Sequence, residues 1–346
     1  MKKSFLYTAV LLTTTAFAQQ ADTLKQNTEP KAPEKFQVLS GIPLNIGGYV
    51  QSRFVSNQLA GAADAFDIRR ARLDLKGQVT PHWDYRVQFE FAGTPKLLDG
   101  IVSYKYKSYL KISAGQFYIP FSNENTTADN KLIFIDRTQV VNALASREKD
   151  VIGNQNGRDA SVQISGSVFQ LQDRALFDYY VGAFNGAGIN TTDNNEAKDI
   201  STRLVFHPIK GFDIGGSYYN GWGKFGTPAH DQLRERIGVE IAYNWKALLV
   251  QGELIQGKDG AITRHGFYGL AGLYVYKKII QVVARYDSYD PDISTEKTND
   301  VTTNATVGVN FYFNPNTKLQ INYTNRIEQG TAVNNDLIAA QLQLGF

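Results

Sequence analysis

Apolar and polar residues alternate in short segments over almost the whole of this 346-residue chain. Two clear examples are Tyr85, Val87, Phe89 and Phe91 around Arg86, Gln88 and Glu90, and Ile237, Val239 and Ile241 around Arg236, Gly238 and Glu240. A period of two residues places the apolar side chains on one face of an extended segment, because successive side chains of a strand point to opposite faces. The pattern runs to the last residue, Phe346, and predicts an all-β chain.

The alternation predicts sixteen strands with lengths close to the ~9–11 residues that a tilted strand needs to cross a bilayer. They are expected near residues 44–55, 66–79, 84–92, 98–106, 109–118, 158–169, 175–185, 199–207, 211–220, 234–244, 247–256, 264–276, 278–287, 302–313, 317–326 and 336–346.

The predicted connections alternate between long and short. Those after odd-numbered strands are long and cover residues 56–65, 93–97, 119–157, 186–198, 221–233, 257–263, 288–301 and 327–335. Those after even-numbered strands are tight, as at residues 81–83, 107–108 and 314–316. Long extracellular loops and short periplasmic turns are typical of a transmembrane β-barrel.

A soluble β-sandwich also shows alternation, so the two folds must be separated by other features. Here every strand carries the apolar face, and no other class of element interrupts the strands. The chain holds 30 glycines, 19 tyrosines and 20 phenylalanines but no cysteine, which excludes thiol catalysis, Cys-ligated zinc and a disulfide scaffold. We therefore predict a transmembrane antiparallel β-barrel of about 16 strands, with apolar residues facing lipid and polar residues facing a water-filled lumen.

The first 40 residues differ from the rest. Lys2 and Lys3 precede an apolar run that ends in Ala16-Phe17-Ala18, a small-x-small signal-peptidase site, so residues 1–18 are predicted to be a signal peptide. An amphipathic N-terminal helix is the alternative. Residues 19–40 are expected to form a flexible periplasmic leader and residues 41–346 the barrel. Removing residues 1–18 takes two lysines and no acid from a net charge of +3, leaving +1.

Basic residues concentrate on the predicted inner face of the early strands. If apolar positions face lipid, parity turns a cluster of cations toward the lumen, namely Arg70, Arg72, Lys76, Arg86 and Lys105, with Arg53 and Lys111 nearby. Cations in a narrow aqueous pore lower the barrier for anions and raise it for cations. The alternative is that each arginine pairs with a carboxylate across the wall and stiffens the barrel.

The connection 119–157 is far longer than the others, and long loops are usually functional or disordered. Its segment Leu132–Ile135 is too apolar for a free loop, and residues 137–145 could form a short helix. We expect the loop to fold into the barrel and narrow it, with Arg137 and Arg147 added to the anion-guiding residues. An external cap is the other possibility.

Three segments resemble the outer-membrane porins of the phosphate-selective O and P family. They are Phe66–Gly77 (FDIRRARLDLKG), Asp84–Glu90 (DYRVQFE) and Gly115–Glu124 (GQFYIPFSNE). The resemblance implies a sixteen-stranded barrel, commonly trimeric, with the loop after strand five inside and basic residues that guide phosphate or other anions. Phe346 also fits the terminal aromatic residue of many outer-membrane barrels.

The function expected from these observations is diffusion of small polar solutes, preferably oxyanions such as phosphate, through the outer membrane of a Gram-negative bacterium. The expected partners are outer-membrane lipid, inorganic anions and two further copies of the chain in a homotrimer, without nucleic acid or cofactor. An outer-membrane enzyme would need a nucleophile and a base together, and His82, His207, His230 and His265 have neither a serine motif nor metal-ligand spacing beside them. A non-conducting barrel for adhesion or surface scaffolding is the remaining alternative.

Overall fold

The computed structural model describes residues 36–37, 43–59, 61–172, 174–293, 300–330 and 333–346. The predicted signal peptide 1–18 and all of the predicted leader except a two-residue extended segment, Phe36–Gln37, lie outside the described residues. The chain divides into two units, residues 1–36 and 37–346, and the following description concerns the second.

Sixteen strands form this unit, and they are numbered here in chain order. They are β1 (Pro43–Asn57), β2 (Ala65–Gln78), β3 (Trp83–Glu90), β4 (Lys96–Lys107), β5 (Leu110–Tyr118), β6 (Arg158–Leu171), β7 (Arg174–Phe184), β8 (Asp199–Ile209), β9 (Phe212–Phe225), β10 (His230–Trp245), β11 (Leu248–Asp259), β12 (Ile262–Tyr276), β13 (Ile280–Asp290), β14 (Thr302–Asn314), β15 (Thr317–Glu328) and β16 (Leu337–Gly345).

Every strand pairs antiparallel with the next one in sequence, and the last strand pairs with the first. In that closing pair, Gln341 of β16 lies opposite Arg53 of β1, and Leu344 lies opposite Val50. The sheet is thus a closed sixteen-stranded barrel, as predicted, and the sandwich is excluded. Closure leaves no strand edge with unpaired backbone groups, which the hydrocarbon core of a membrane does not tolerate.

Burial follows the predicted parity, with apolar side chains exposed on the outer face and polar side chains buried on the inner one. In β10, Ile237 and Val239 are more than half exposed, whereas Arg236 and Glu240 are buried. An arginine on the lipid face at the bilayer midplane would cost roughly 2–4 kcal/mol, so the polar face must point away from lipid. None of the helices in the described ranges is long and apolar enough to cross a membrane.

Aromatic side chains are exposed near both ends of the outer face. At the short-turn end, these residues are Trp83, Tyr106, Tyr109, Phe169, Trp245, Tyr276 and Phe313. At the other end, Tyr218, Tyr286 and Tyr323 are exposed. Two such rings of amphipathic side chains mark the levels of the two membrane–water interfaces.

Two connections are shorter than predicted. The β9–β10 connection spans residues 226–229 instead of 221–233, and the β11–β12 connection spans residues 260–261 instead of 257–263. The backbone pairing continues past the apolar band, and there the paired positions carry charges, such as Glu235 opposite Lys258. An apolar alternation cannot reveal a strand segment whose outer face is also polar.

Gly115 permits a local irregularity in β5. Its φ is +123°, and a Cβ atom at this position would lie 1.9 Å from the backbone oxygen of Gly100 in β4. Only glycine fits this combination of conformation and close approach. Beyond it, the Gln116 amide donates to the backbone oxygens of Leu97 and Leu98, at 3.0 and 2.9 Å.

Candidate functional site

The long connection 119–157 between β5 and β6 is compact and carries its own secondary structure. It contains helix α1 (Asn123–Thr126), a 3-10 turn (Asp129–Lys131) and helix α2 (Gln139–Leu144). The second helix falls within the segment for which a helix is predicted. Ser122 caps α1, because its Oγ accepts a hydrogen bond from the backbone N–H of Asn125 at 3.1 Å.

The start of α1 is fixed to the barrel wall by a carboxylate. Glu253 of β11 accepts the backbone N–H of Asn123 at 3.2 Å and that of Glu124 at 2.7 Å. Its carboxylate also accepts the Tyr268 hydroxyl of β12 at 2.5 Å. Two N–H groups that a helix start leaves without partners are thereby satisfied by the wall.

An apolar cluster joins the loop to the buried face of strands β9–β13. The loop contributes Phe121, Phe134, Val140, Val141 and Leu144, and the strands contribute Tyr219, Ile255, Tyr268, Leu270 and Val283. All ten side chains are buried. Parity assigns apolar strand residues to the lipid face and so misses this cluster. The detectable signal is a pair of adjacent apolar residues, as at Leu254-Ile255, where strict alternation breaks down.

Polar contacts connect the loop to the strands that follow. Lys318 of β15 donates to the Leu132 carbonyl at 2.5 Å, and the Asn310 amide of β14 donates to the Ile133 carbonyl at 2.9 Å. On β13, Arg285 donates to the Asp136 carbonyl at 2.7 Å. These side chains satisfy backbone groups of the loop that water cannot reach.

Asp129 joins the loop to β2 through Arg70 and Arg72, and it also pairs with Arg137 of the loop itself. Its carboxylate lies 2.6 Å from Arg72 Nη1, 3.1 Å from Arg70 Nη2 and 3.1 Å from Arg137 Nη2. Arg72 also pairs with Glu90 of β3, at 2.8 Å. Burial alone would raise the pKa of Asp129, but the surrounding guanidinium groups outweigh burial and hold that pKa well below its usual value.

Two more of the predicted arginines, Arg86 and Arg53, have carboxylate partners. Arg86 pairs with Asp74 at 2.8 Å and with Asp99 at 3.0 Å. Arg53 pairs with Asp67 at 2.5 Å and more distantly with Asp136, at 3.5 Å.

Four predicted residues remain to be placed. Lys111 is part-exposed, 3.4 Å from Asp84. Lys76 and Lys105 are exposed and have no carboxylate within 4 Å in the described ranges. Arg147 is buried and donates only to the side chain and carbonyl of Asn125, at 2.6 and 2.9 Å. The structure therefore separates buried arginines around the loop from exposed lysines along the wall.

Strands β3–β8 line a cavity of about 820 Å³ that reaches the short-turn end of the barrel at Ser108. Its charged lining consists of five cations and two acids, namely Arg86, Lys105, Lys107, Lys111, Arg203, Asp84 and Asp99. Serines and Gln163 supply hydrogen-bonding groups between them. An excess of cations in an aqueous space attracts anions, and lysines without partners contribute most because their charge is not neutralised locally.

A second cavity, of about 550 Å³, lies at the opposite end of the barrel, against β1, β14–β16 and the loop. Its charged lining includes six cations and three acids, namely Arg53, Arg69, Arg137, Lys149, Arg285, Arg326, Asp136, Glu148 and Glu328. Both ends of the barrel therefore present more positive than negative charge.

Sequence reasoning missed several residues of this arrangement. Arg69 was not assigned to the lumen. With Arg70 on the inner face, strict alternation places Arg69 on the lipid face together with its apolar neighbour Ile68. A register shift between β1 and β2 at this point makes Arg69 an extra residue, and its side chain pairs with Asp136 at 2.6 Å. Asp129 was also missed, because a single carboxylate in a loop gives no periodic signal. In the part of the chain that the structure describes, no cluster of three or more histidines and acids is placed to hold a metal ion.

Comparison with known proteins gives one family and a set of similar folds. The model of the family "Phosphate-selective porin O and P" matches residues 44–221 and 212–346. No curated protein matches the chain.

Several solved structures share the fold at low sequence identity. An anion-selective porin from Comamonas acidovorans is 15% identical with a TM-score of 0.66, covering 88% of this chain and 99% of its own. OmpF of Salmonella typhi, in complex with daunomycin, is 12% identical with a TM-score of 0.64, covering 90% and 100%. The trimer form of OmpT of Vibrio cholerae is 11% identical with a TM-score of 0.62, covering 88% and 99%.

The family match extends over all sixteen strands of the closed barrel. The family is one of porins of the outer membrane of Gram-negative bacteria, and the closed barrel has the fold of solved porins. The chain belongs to the family of phosphate-selective porins O and P.

Proposed function

We propose that this porin is a diffusion channel with a preference for small anions, including phosphate and similar oxyanions. The observation that carries the proposal is the lining of the 820 Å³ cavity, where five cations face two acids. Both acids already have cationic partners, since Asp99 pairs with Arg86 and Asp84 lies near Lys111. The lysines Lys105 and Lys107 are left to interact with solutes.

The loop 119–157 is proposed to lie within the lumen and to narrow the passage. Its hydrogen bonds and apolar contacts reach the inner face of β2 and of strands β9–β16, with a further contact to Ser201 in β8. Beside the loop, the 820 Å³ cavity remains along β3–β8 and the 550 Å³ cavity remains at the opposite end. Solutes would then pass along the wall that carries Arg86, Lys105 and Lys111.

Within this arrangement, the basic residues have two roles. Arg70, Arg72 and Arg137 hold the loop through Asp129, and their charge is largely neutralised there. Arg86, Lys105 and Lys111 line the passage, and Lys76 lies next to Arg86 in the β2–β3 register. Arg53 lines the cavity at the other end and would attract anions into it.

Secretion through a cleaved signal peptide and assembly as a homotrimer complete the proposal. The first rests on the sequence of residues 1–18. The second is supported by the exposed apolar outer face, which a second copy can cover as well as lipid can, and by a similar structure described as a trimer form.

The test is ion selectivity in a planar bilayer with a salt gradient. The double variant Lys105→Glu and Lys111→Glu changes the charge of the cavity lining from net positive to net negative. We expect the zero-current potential to move toward cation preference, most strongly at low salt, where the Debye length exceeds the pore radius. Inorganic phosphate should reduce the chloride current of the parent protein and reduce it less in the variant.

The matched control is Lys246→Glu with Lys277→Glu. Both lysines lie in short turns, and neither lines the cavity, so the control has the same change of net charge at the same end of the barrel. Anion preference is refuted if the passage variant keeps the parent's zero-current potential at low salt, or if the control shifts it equally.

A further inference from the structure

A third cavity, of about 20 Å³, lies between β2 and the loop, and its lining is entirely polar. This volume accommodates about one water-sized group. Four guanidinium groups and two carboxylates supply its charge, namely Arg69, Arg70, Arg137, Arg147, Asp129 and Glu148. The cavity shares Arg69, Arg137 and Glu148 with the 550 Å³ cavity, so the two cavities are adjacent.

The two carboxylates are already engaged. Asp129 pairs with Arg70 and Arg137 as well as with Arg72, which does not line the cavity. Glu148 is exposed and pairs with Arg69 at 3.1 Å. Positive charge therefore exceeds negative charge around the cavity even after all ion pairs are formed.

Arg147 is the cation left without a partner. It is 5% exposed, and no carboxylate lies within 4 Å of it among the described residues. Its two hydrogen bonds go to neutral oxygens of Asn125, at 2.6 and 2.9 Å. A buried charge without a direct ion pair is unfavourable, and the Tyr118 ring, 5.7 Å from the guanidinium, compensates it only in part, so a bound anion at this place would stabilise the loop.

The polar atoms at the cavity that lack a hydrogen-bond partner also indicate an anionic ligand. Arg69 Nε, Arg137 Nε and Asn156 Nδ2 are buried without hydrogen-bond partners, and all three are N–H donors on side chains that line the cavity. Arg137 is 5% exposed. A set of donors with no acceptor fits a ligand that only accepts hydrogen bonds.

We propose that this cavity is a binding site for a resident monatomic anion, chloride under physiological conditions, which completes the arginine cluster and holds the loop against β2. The size of the cavity favours a halide over a tetrahedral oxyanion. Independently, burial and the neighbouring Arg137 lower the pKa of Arg147 to about 9, and a bound anion would relieve that destabilisation.

The resident ion differs from the solutes that pass through the channel. The site is enclosed between β2 and the loop, whereas the proposed passage runs along β3–β8. The proposal of a halide site can therefore be tested independently of the anion preference of the channel.

The direct test uses bromide, which scatters X-rays anomalously. Crystals of the full chain grown in sodium bromide should show an anomalous peak within hydrogen-bond distance of Arg137 and Arg147. A single-atom density at this place without anomalous signal would be water and would overturn the proposal, as would a peak found only at exposed lysines.

The second test measures thermal unfolding in chloride–gluconate mixtures of constant ionic strength, since gluconate is too large for the cavity. The midpoint temperature of unfolding of the parent should rise with chloride concentration until it saturates. In Arg147→Gln it should not change with chloride concentration. The control Lys149→Gln removes an exposed cation of the same loop and should show the same chloride-dependent stabilisation as the parent. An equal chloride response in parent and Arg147→Gln would refute the site.

Discussion

Replacing Asp129 by asparagine should release the loop from β2. The substitution keeps the shape of the side chain but removes the charge that three arginines share, at 2.6, 3.1 and 3.1 Å. The Asp129 side chain is 1% exposed, and those of Arg72 and Arg137 are 3% exposed, so solvent does not screen the loss. Removing one partner of a buried ion pair costs about 3–5 kcal/mol, because the remaining charges stay buried.

Hydrogen exchange monitored by mass spectrometry measures this loss of stability at the amides of the loop itself. A loss of about 3–5 kcal/mol in local stability corresponds to roughly a hundred- to several-thousand-fold faster exchange, since every 1.4 kcal/mol is tenfold. We expect this acceleration in the loop amides around Asp129 and not in the barrel strands. The strands therefore serve as an internal reference.

Asp136→Asn is the matched control, because it makes the same chemical change in the same loop. Asp136 pairs with Arg69 at 2.6 Å and with Arg53 at 3.5 Å, but its side chain is 35% exposed. Solvent screens this part-exposed pair more than the buried Asp129 cluster, so exchange should accelerate clearly less than in Asp129→Asn. Equal acceleration in the two variants would refute the argument that burial of the ion pairs holds the loop.

The pH dependence follows from the same contacts. The pKa of Asp129 is held well below its usual value despite burial, because Arg70, Arg72 and Arg137 favour the carboxylate. A depressed carboxyl pKa contributes stability that is complete well above the unfolded pKa of about 3.9, decreases progressively below it and is gone only below the lower folded pKa. Loop protection, corrected for intrinsic exchange, should therefore be as strong at pH 5 as at pH 7 and should decline gradually at lower pH. A midpoint of loss near pH 4 would contradict this.

Three further predictions concern topology, packing and the loop. A thiol reagent added to intact cells should label Asn194→Cys but not Asn316→Cys, because the first lies at the long-loop end, and the reverse result would invert the orientation. Gly166→Ala should reduce barrel stability by about 1–3 kcal/mol, since its Cβ would lie 2.1 Å from the Tyr109 carbonyl oxygen in the β4–β5 turn. Gly269→Ala, whose Cβ would have nothing within 4 Å, is the control, and equal stability of the two variants would refute this. Deleting residues 125–147 should raise single-channel conductance in bilayers, and unchanged conductance with a folded barrel would refute the constriction.

The sequence predicts the barrel well because one physical rule governs every strand. Lipid requires apolar residues on one face, so the alternation identifies all sixteen strands and their order. The alternation fails to predict the parts of the chain that do not face lipid. The hairpin ends near Glu235 and Lys258 carry charged residues on the outer face as well as on the inner one, and the register shift at Arg69 adds one residue without changing the composition.

The candidate site was harder to predict, because it depends on contacts between distant parts of the chain. Parity correctly places Arg70 and Arg72 on the inner face, but it cannot show that Asp129, 57 residues beyond Arg72, neutralises them. The buried apolar residues Ile255 and Tyr268 depend on the same long-range packing, because their environment is supplied by the loop.

The wide spread of the loop's partners has a consequence for the order of folding. Hydrogen bonds connect it to Arg72 in β2 and to Gln343 in β16, which is 213 residues from its partner in the loop. Such contacts cannot form together until both ends of the chain are in place, so complete docking of the loop belongs to the last stage of assembly. A one-residue slip in any strand pair would turn the receiving side chains to the opposite face. The loop therefore docks fully only in a correctly registered barrel, and its protection from exchange or proteolysis reports on the quality of the closed barrel.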